Sequence, residues 1–403
     1  MVIKKRALFY LSNHSDNICS VKFYDENNLI SSCSCGIVTL WDLNDKKSVG
    51  NYKVSDYSAL YSNTFDKEHF YVKTKEGSVK LWNVKYNKCI LKINANNFTY
   101  AKPYSVHNAL VTPINQNGDI AIYDINVKQN CVLACNGMDQ YRGDDNCCKD
   151  VPLSGRSSNS GISNEGKCEN MKSEIYNNRI IYNTTCNNFY SSKCKELIIP
   201  FKEIKKKMDN IEIICNLENK NECKKMLSNN LKLCKDIIDI YPLPYFGDTF
   251  IIACYEPSLF CIYDYRMTNN FISSFIIDIK ENVLSYHVNN NNCLISTNNN
   301  VMYYLTFDKN QKVQLKKVAP SYHSANNIVI RPDDKIFISI TNNTTINVCN
   351  LYDINIIDQI VSYKFNYFNF LDFHTFSGFF AAAEKNKISL WTNQASNFSP
   401  IQK

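Results

Sequence analysis

The sequence predicts an all-β fold: seven repeated sheets closed into a ring by the chain's own first strand, with one long insertion. Three observations carry this. A strand-and-turn unit recurs with a step near 41 residues. Aromatic residues make up 13% of the chain, with 26 Tyr and 22 Phe, which favours strands over helices. An apolar segment at the start, Ala7-Leu8-Phe9-Tyr10-Leu11, precedes the first repeat and has no place in it, while the last repeat lacks an outer strand.

The clearest pair of repeats is Gly36-Ile37-Val38-Thr39-Leu40-Trp41-Asp42-Leu43 and Gly77-Ser78-Val79-Lys80-Leu81-Trp82-Asn83-Val84. Gly118-Asp119-Ile120-Ala121-Ile122-Tyr123-Asp124-Ile125 follows, and Asn386-Lys387-Ile388-Ser389-Leu390-Trp391-Thr392-Asn393 comes near the end. Weaker copies lie at 259–265, 300–305 and 345–351. Taking Trp41, Trp82, Tyr123, Tyr263, Tyr304, Cys349 and Trp391 as equivalent gives steps of 41, 41, 140, 41, 45 and 42 residues.

Each copy has a physical rationale. Alternation at period two turns one face of the strand into the packing between sheets. The aromatic fills the wide gap between neighbouring sheets, and Asp or Asn begins the next turn. A second strand precedes each copy (Asn28-Leu29-Ile30-Ser31-Ser32) and a third precedes that (Ile18-Cys19-Ser20-Val21-Lys22-Phe23). With a linking fourth strand these make one blade, and seven copies make a seven-bladed β-propeller of the WD40 type. Residues 7–11 are expected to complete the last blade, leaving no open sheet edge in the ring. The Asp-Gly turn usual in such blades is eroded: it reads Cys35-Gly36, Glu76-Gly77 and Asn117-Gly118, and lacks Gly at Asn299-Asn300 and Lys385-Asn386.

The long step divides the chain into residues 1–129 (blades one to three plus the closing strand), 130–233 (the insertion) and 234–403 (blades four to seven). Residues 137–188 are rich in Ser, Asn, Gly, Asp and Lys without hydrophobic period, so disorder is expected there. Residues 202–233 carry loosely helical spacing, and Glu196-Leu197-Ile198-Ile199-Pro200 reads as a displaced strand of either flanking blade. Ten of the 18 Cys fall in or beside this span, but without a Cys-x-x-Cys pair or any His, so no metal site is expected.

Other classes are excluded on similar grounds. The net charge of +7 is spread along the chain, unlike the dense basic footprint of a nucleic-acid binder. No stretch reaches the roughly 20 apolar residues of a membrane helix; the nearest, 365–383, is broken by Asn366, Asn369, Asp372 and His374. The apolar run after Met1-Val2-Ile3-Lys4-Lys5-Arg6 is too short for a signal peptide, so reduced thiols and a cytoplasmic or nuclear location are expected. No phosphate-binding glycine loop, nucleophile elbow or zinc-protease motif occurs. His14 and His323 stand just before first strands, where a structural hydrogen bond within the blade is expected. Asp333-Asp334, after Arg331-Pro332, reads as a turn rather than an acid/base pair. No catalytic residue, cofactor or metal is expected, and what remains is a surface for other proteins.

Two segments carry a family resemblance. Ile328-Val329-Ile330-Arg331-Pro332-Asp333-Asp334-Lys335-Ile336-Phe337 and Gly378-Phe379-Phe380-Ala381-Ala382-Ala383-Glu384-Lys385-Asn386-Lys387-Ile388-Ser389-Leu390-Trp391 resemble the closing third of one WD40 family. That family comprises guanine nucleotide-binding protein beta-subunit-like protein 1 and ASTRA-associated protein 1. The resemblance implies a non-enzymatic adaptor, a monomer within a larger complex. Its partners would be TTT-type helical-repeat cochaperone subunits and phosphatidylinositol-3-kinase-related kinases, with a link to chromatin through the ASTRA complex. It implies no G-protein signalling: with the first strand expected by residue 7, the helix that holds a γ subunit has no room. A general WD40 assembly module, in ribosome biogenesis or ubiquitin-ligase recruitment, is the alternative.

Overall fold

A computed structural model describes residues 7–106, 108–116, 118–125, 195–199, 212–213, 236–266, 271–277, 281–320, 324–341, 344–361, 367–375 and 377–392. These residues form seven antiparallel-cored sheets, six of four strands and one of five. In blade 1 the strands run Ile18–Phe23, Asn28–Cys33, Ile37–Asp42 and Lys47–Lys53, from the ring's centre outward. Blades 2 to 6 repeat this order over 59–93, 104–199, 237–276, 283–320 and 325–361. The stretch 365–383, the nearest in the sequence to a membrane-helix run, is strand rather than helix where it is described: Phe368–Phe373 and the start of Phe379–Glu384, the two inner strands of blade 7. Among the described residues no helix is long and apolar enough to cross a membrane.

The alternating strand pattern puts apolar side chains on both faces of every sheet, so each sheet needs a neighbour on both sides. Seven separate hydrophobic clusters satisfy that need, each lying between two consecutive blades. The cluster that closes the circle joins Leu11, Ala381, Ile388 and Leu390 of blade 7 to Ile18, Val21, Leu29 and Trp41 of blade 1. Phe9–Ser12 is the outermost strand of blade 7, in register from Phe9 opposite Leu390 to Ser12 opposite Lys387. The N-terminal segment thus occupies the place its sequence position predicts.

The displaced strand belongs to blade 3. Lys195–Ile199 pairs with Asp119–Asp124, from Ile120 opposite Ile199 to Asp124 opposite Lys195, and forms that blade's outer edge. The outer strand therefore comes from within the 130–233 span rather than from the residues before it. Glu212–Ile213 adds a short parallel strand to Phe271–Ile276 of blade 4. The disorder expected at 137–188, the ten cysteines and, apart from 212–213, the helices expected at 202–233 lie outside the described residues.

Turn chemistry follows the sequence where glycine is present. Gly36 takes φ +77°, and a Cβ there would lie 2.0 Å from the Ser55 carbonyl oxygen, so only glycine fits. Where glycine is missing, Asn300 and Lys385 adopt the same left-handed conformation, at φ 61° and 51°.

Candidate interaction surfaces

The repeat position is defined by register. Trp41, Trp82, Tyr123, Tyr263, Cys349 and Trp391 lie on third strands, opposite Leu29, Phe70, Leu110, Ile251, Phe337 and Phe380 of the second strands. Each faces the preceding blade; Trp41, for example, packs on Ala381 and Leu390. Blades 1, 2, 4, 5 and 6 also mark the position with a bulge against the fourth strand just before it.

Blade 5 corrects the sequence alignment. There the bulge falls between Tyr304 and Leu305, and Leu305, opposite Cys293, holds the register position. Leu305 packs toward blade 4 with Phe275 and Tyr286, whereas Tyr304 points the other way, into the blade 6 cluster with Cys349. A slip of one residue reverses the face of a strand. The doublet Tyr303-Tyr304 drew the assignment to the wrong member of the strand.

Polar partners of this position differ from blade to blade. In blade 1 the Ser31 hydroxyl accepts the Trp41 indole N–H at 2.7 Å and lies 2.7 Å from His14 Nε2, so His14 is bonded within its blade. Burial lowers the His14 pKa to about 4, which keeps the ring neutral. In blade 7, Trp391 donates to Ser389 Oγ on its own strand at 2.9 Å. In blade 2 the residue in register with Ser31 is Val72, and the Trp82 Nε1 is buried without a partner. Blade 6 is the converse. Ser339 is in register with Ser31, but Cys349 stands where the indole would be, and the Ser339 hydroxyl is buried without a partner. His323 lies outside the described residues.

The carboxylate pair is a turn. Asp333 accepts two bonds of 2.7 Å from the Arg331 guanidinium, while Asp334, at φ 56°, accepts from Asn289 and Asn290 of blade 5 at 2.7 and 2.6 Å. The two carboxylates thus serve different partners. In the blade 1 turn, Cys35 replaces the usual Asp and its sulfur lies 2.8 Å from that of Cys33. Burial and this contact push the Cys33 thiol up to about 12. Sequence reading passed over this pair because a cysteine two residues from another carries no strand signal. Among the described residues no cluster of three or more His, Cys, Asp or Glu is arranged to hold a metal ion.

The central channel is lined by side chains of the innermost strands and the segments leading into them. Lys22 of blade 1 pairs with Asp372 of blade 7 at 2.6 Å, and Asp372 also accepts the Phe23 N–H at 2.8 Å. Lys102, before blade 3, pairs with Asp239 of blade 4 at 2.9 Å and lies over the Tyr241 ring at 6.0 Å. Burial works against the Lys22 ammonium, but the Asp372 carboxylate outweighs it and the pKa is raised. His287, half-buried and beside Tyr241, accepts the Ile330 N–H of blade 6 at 3.3 Å. Burial, reinforced by the charges on Lys22 and Lys102, holds its pKa well below the imidazole range. These groups bind blade to blade.

The outer wall between blades 5 and 6 is different. An open groove of about 700 Å³ runs there, lined by Met302, Lys317, Val318, Ser339, Cys349 and Ile356 among others. Its volume falls in the range of about 300–1,000 Å³ usual for ligand sites. Large apolar side chains are exposed along it and on the adjoining edge strand: Val318, Tyr352, Ile356, Ile357 and Val361.

Ring, seam and blade pattern together define a seven-bladed β-propeller. Among solved structures it is similar to the β-propeller domain of Cps50 (Swd1) from Myceliophteria thermophila, at 11% identity and a TM-score of 0.60. The match covers 94% of this chain and 99% of that one, so the likeness is of the whole ring. Since 1710 solved chains match in all, shape by itself selects no single function. No family model and no curated protein matches the sequence.

Proposed function

We propose that this protein is a non-catalytic scaffold that joins other proteins, of the ASTRA/TTT type, acting in the maturation of phosphatidylinositol-3-kinase-related kinases. The observation that carries the scaffold reading is the exposed apolar patch on blades 5 and 6, set beside an open groove on a rigid ring. The family-resembling segments support the finer reading. They form the turn after the inner strand Ala325–Ile330, pinned by Arg331 and Asp333, and the hairpin that receives the closing strand. The partners are TTT-like helical-repeat subunits and the large kinases, met in the cytoplasm or nucleus by a monomeric chain within a larger complex. Single-step purification of the tagged full-length chain from its native cells, read by mass spectrometry, tests this. Recovery of a TTT-like subunit or a large kinase is expected. Co-purifying pre-ribosomal particles or cullin adaptors favour a general assembly module instead, and an empty preparation contradicts both.

A further inference from the structure

The inter-blade position has two halves, an indole on the third strand and a hydroxyl on the second. Blade 1 has both in Trp41 and Ser31. Blade 6 has only the hydroxyl. Cys349 is far smaller than an indole, and it lines the groove on its blade 5 side together with Met302. Ser339, only 1% exposed, lines the groove with its hydroxyl unpartnered. A buried hydroxyl in that state costs roughly 1–3 kcal/mol, and an N–H donor reaching it from outside recovers the bond. Its neighbour Asn347 is already engaged with Thr341 and Gln359, so of the buried polar side chains lining the groove Ser339 is the one left to a ligand.

The rim adds two further preferences. Val318 and Ile356 flank the opening with exposed apolar surface. Lys317, also lining it, donates to the Asp353 backbone carbonyl at 2.6 Å and makes no ion pair among the described residues; Lys316 beside it makes none either. The lip therefore carries one ammonium group, that of Lys317, with no carboxylate partner among the described residues. Among the described residues no strand lies beyond the edge strand Ile356–Val361 in its sheet, which leaves its outer side open to an extended peptide.

We infer that the groove between blades 5 and 6 docks an extended segment of a partner protein by a tryptophan side chain, with an acidic residue beside it. The tryptophan fills the space left by Cys349 and donates its N–H to Ser339, and the acidic residue meets Lys317. The tryptophans Trp41, Trp82 and Trp391 are all built into blades 1, 2 and 7, so none of them is free to be the occupant. This rests on the scaffold reading only in taking the partner to be a protein.

Calorimetric titration of the full-length chain with the acetylated, amidated peptides EGWGE, EGFGE and EGAGE tests it. EGWGE is expected to bind at least tenfold more tightly than EGAGE. Cys349→Trp, which fills the groove from within, abolishes binding and leaves the melting temperature equal or higher. Ser339→Ala weakens EGWGE about fivefold and leaves EGFGE unchanged, a readout that survives if Cys349→Trp folds poorly. Equal binding of EGWGE and EGAGE, undiminished binding to a folded Cys349→Trp variant, or equal loss of EGWGE and EGFGE in Ser339→Ala overturns the inference. The two readings fail separately. Native partners captured equally by wild type and Cys349→Trp, with no peptide preference, leave the scaffold and remove the groove. Peptide binding with no native partner does the reverse.

Discussion

At Ser31 one hydroxyl serves two rings, and the charge state of one of them links blade 1 to pH. His14 is buried as the neutral imidazole with a pKa of about 4, against 6.5 in the unfolded chain. Above pH 6.5 both states are neutral there and the full contribution to stability is present. As pH falls from 6.5 toward 4 the unfolded chain takes up the proton first, and stability drops by an amount on the order of 3 kcal/mol. His287 is displaced in the same direction. The melting temperature should therefore fall across that interval, and His14→Gln should start lower at pH 7 yet fall less steeply. Parallel slopes for the two proteins would show that His14 is not held neutral. Sequence reading identified the residue and its hydrogen-bonding role from its place before a first strand. The acceptor was not legible, because Ser31 reads as one of several small residues in an apolar strand until the third strand is laid beside it.

Among the elements, the blade-ending strands were the most legible, since Trp41, Trp82 and Trp391 combine a large aromatic with a flanking turn. Blade 5 lacks that combination, and there the aromatic doublet outweighed the true position. Register makes a quantitative claim. Leu305→Ala removes a fully buried side chain facing blade 4 and should cost about 2–5 kcal/mol in chemical unfolding. Tyr304→Phe removes only the hydroxyl bond to Asn292 and should cost about 1 kcal/mol. A cost below about 1 kcal/mol for Leu305→Ala would return the position to Tyr304. The strand Lys195–Ile199 was legible as a strand but not in its address, because some seventy residues separate it from its partner and no local signal carries that pairing.

Across the whole molecule, the missing outer strand of the last blade and the spare strand at the start pointed to each other, which made closure readable before any contact was known. What sequence could not supply were the pairings across the seam, such as Lys22 with Asp372 and His374 with the Glu26 carbonyl at 3.0 Å, which join residues some 350 apart. The same holds for the groove. A cysteine in place of an aromatic looks like a decayed repeat, and only the register of blade 6 beside blade 5 shows that it opens a site with an acceptor in it.

Closure is the claim on which the other scales depend, because an open ring would expose the cluster of Leu11, Ala381, Ile388 and Trp41 and leave blade 7 with a bare edge. Hydrogen exchange of the intact chain, followed by mass spectrometry on the peptide spanning residues 7–12, addresses it most directly. If Phe9–Ser12 is the outer strand of blade 7, that peptide is protected and exchanges together with the peptide spanning 387–392. Free exchange of residues 7–12 while 387–392 stays protected would contradict the closed ring.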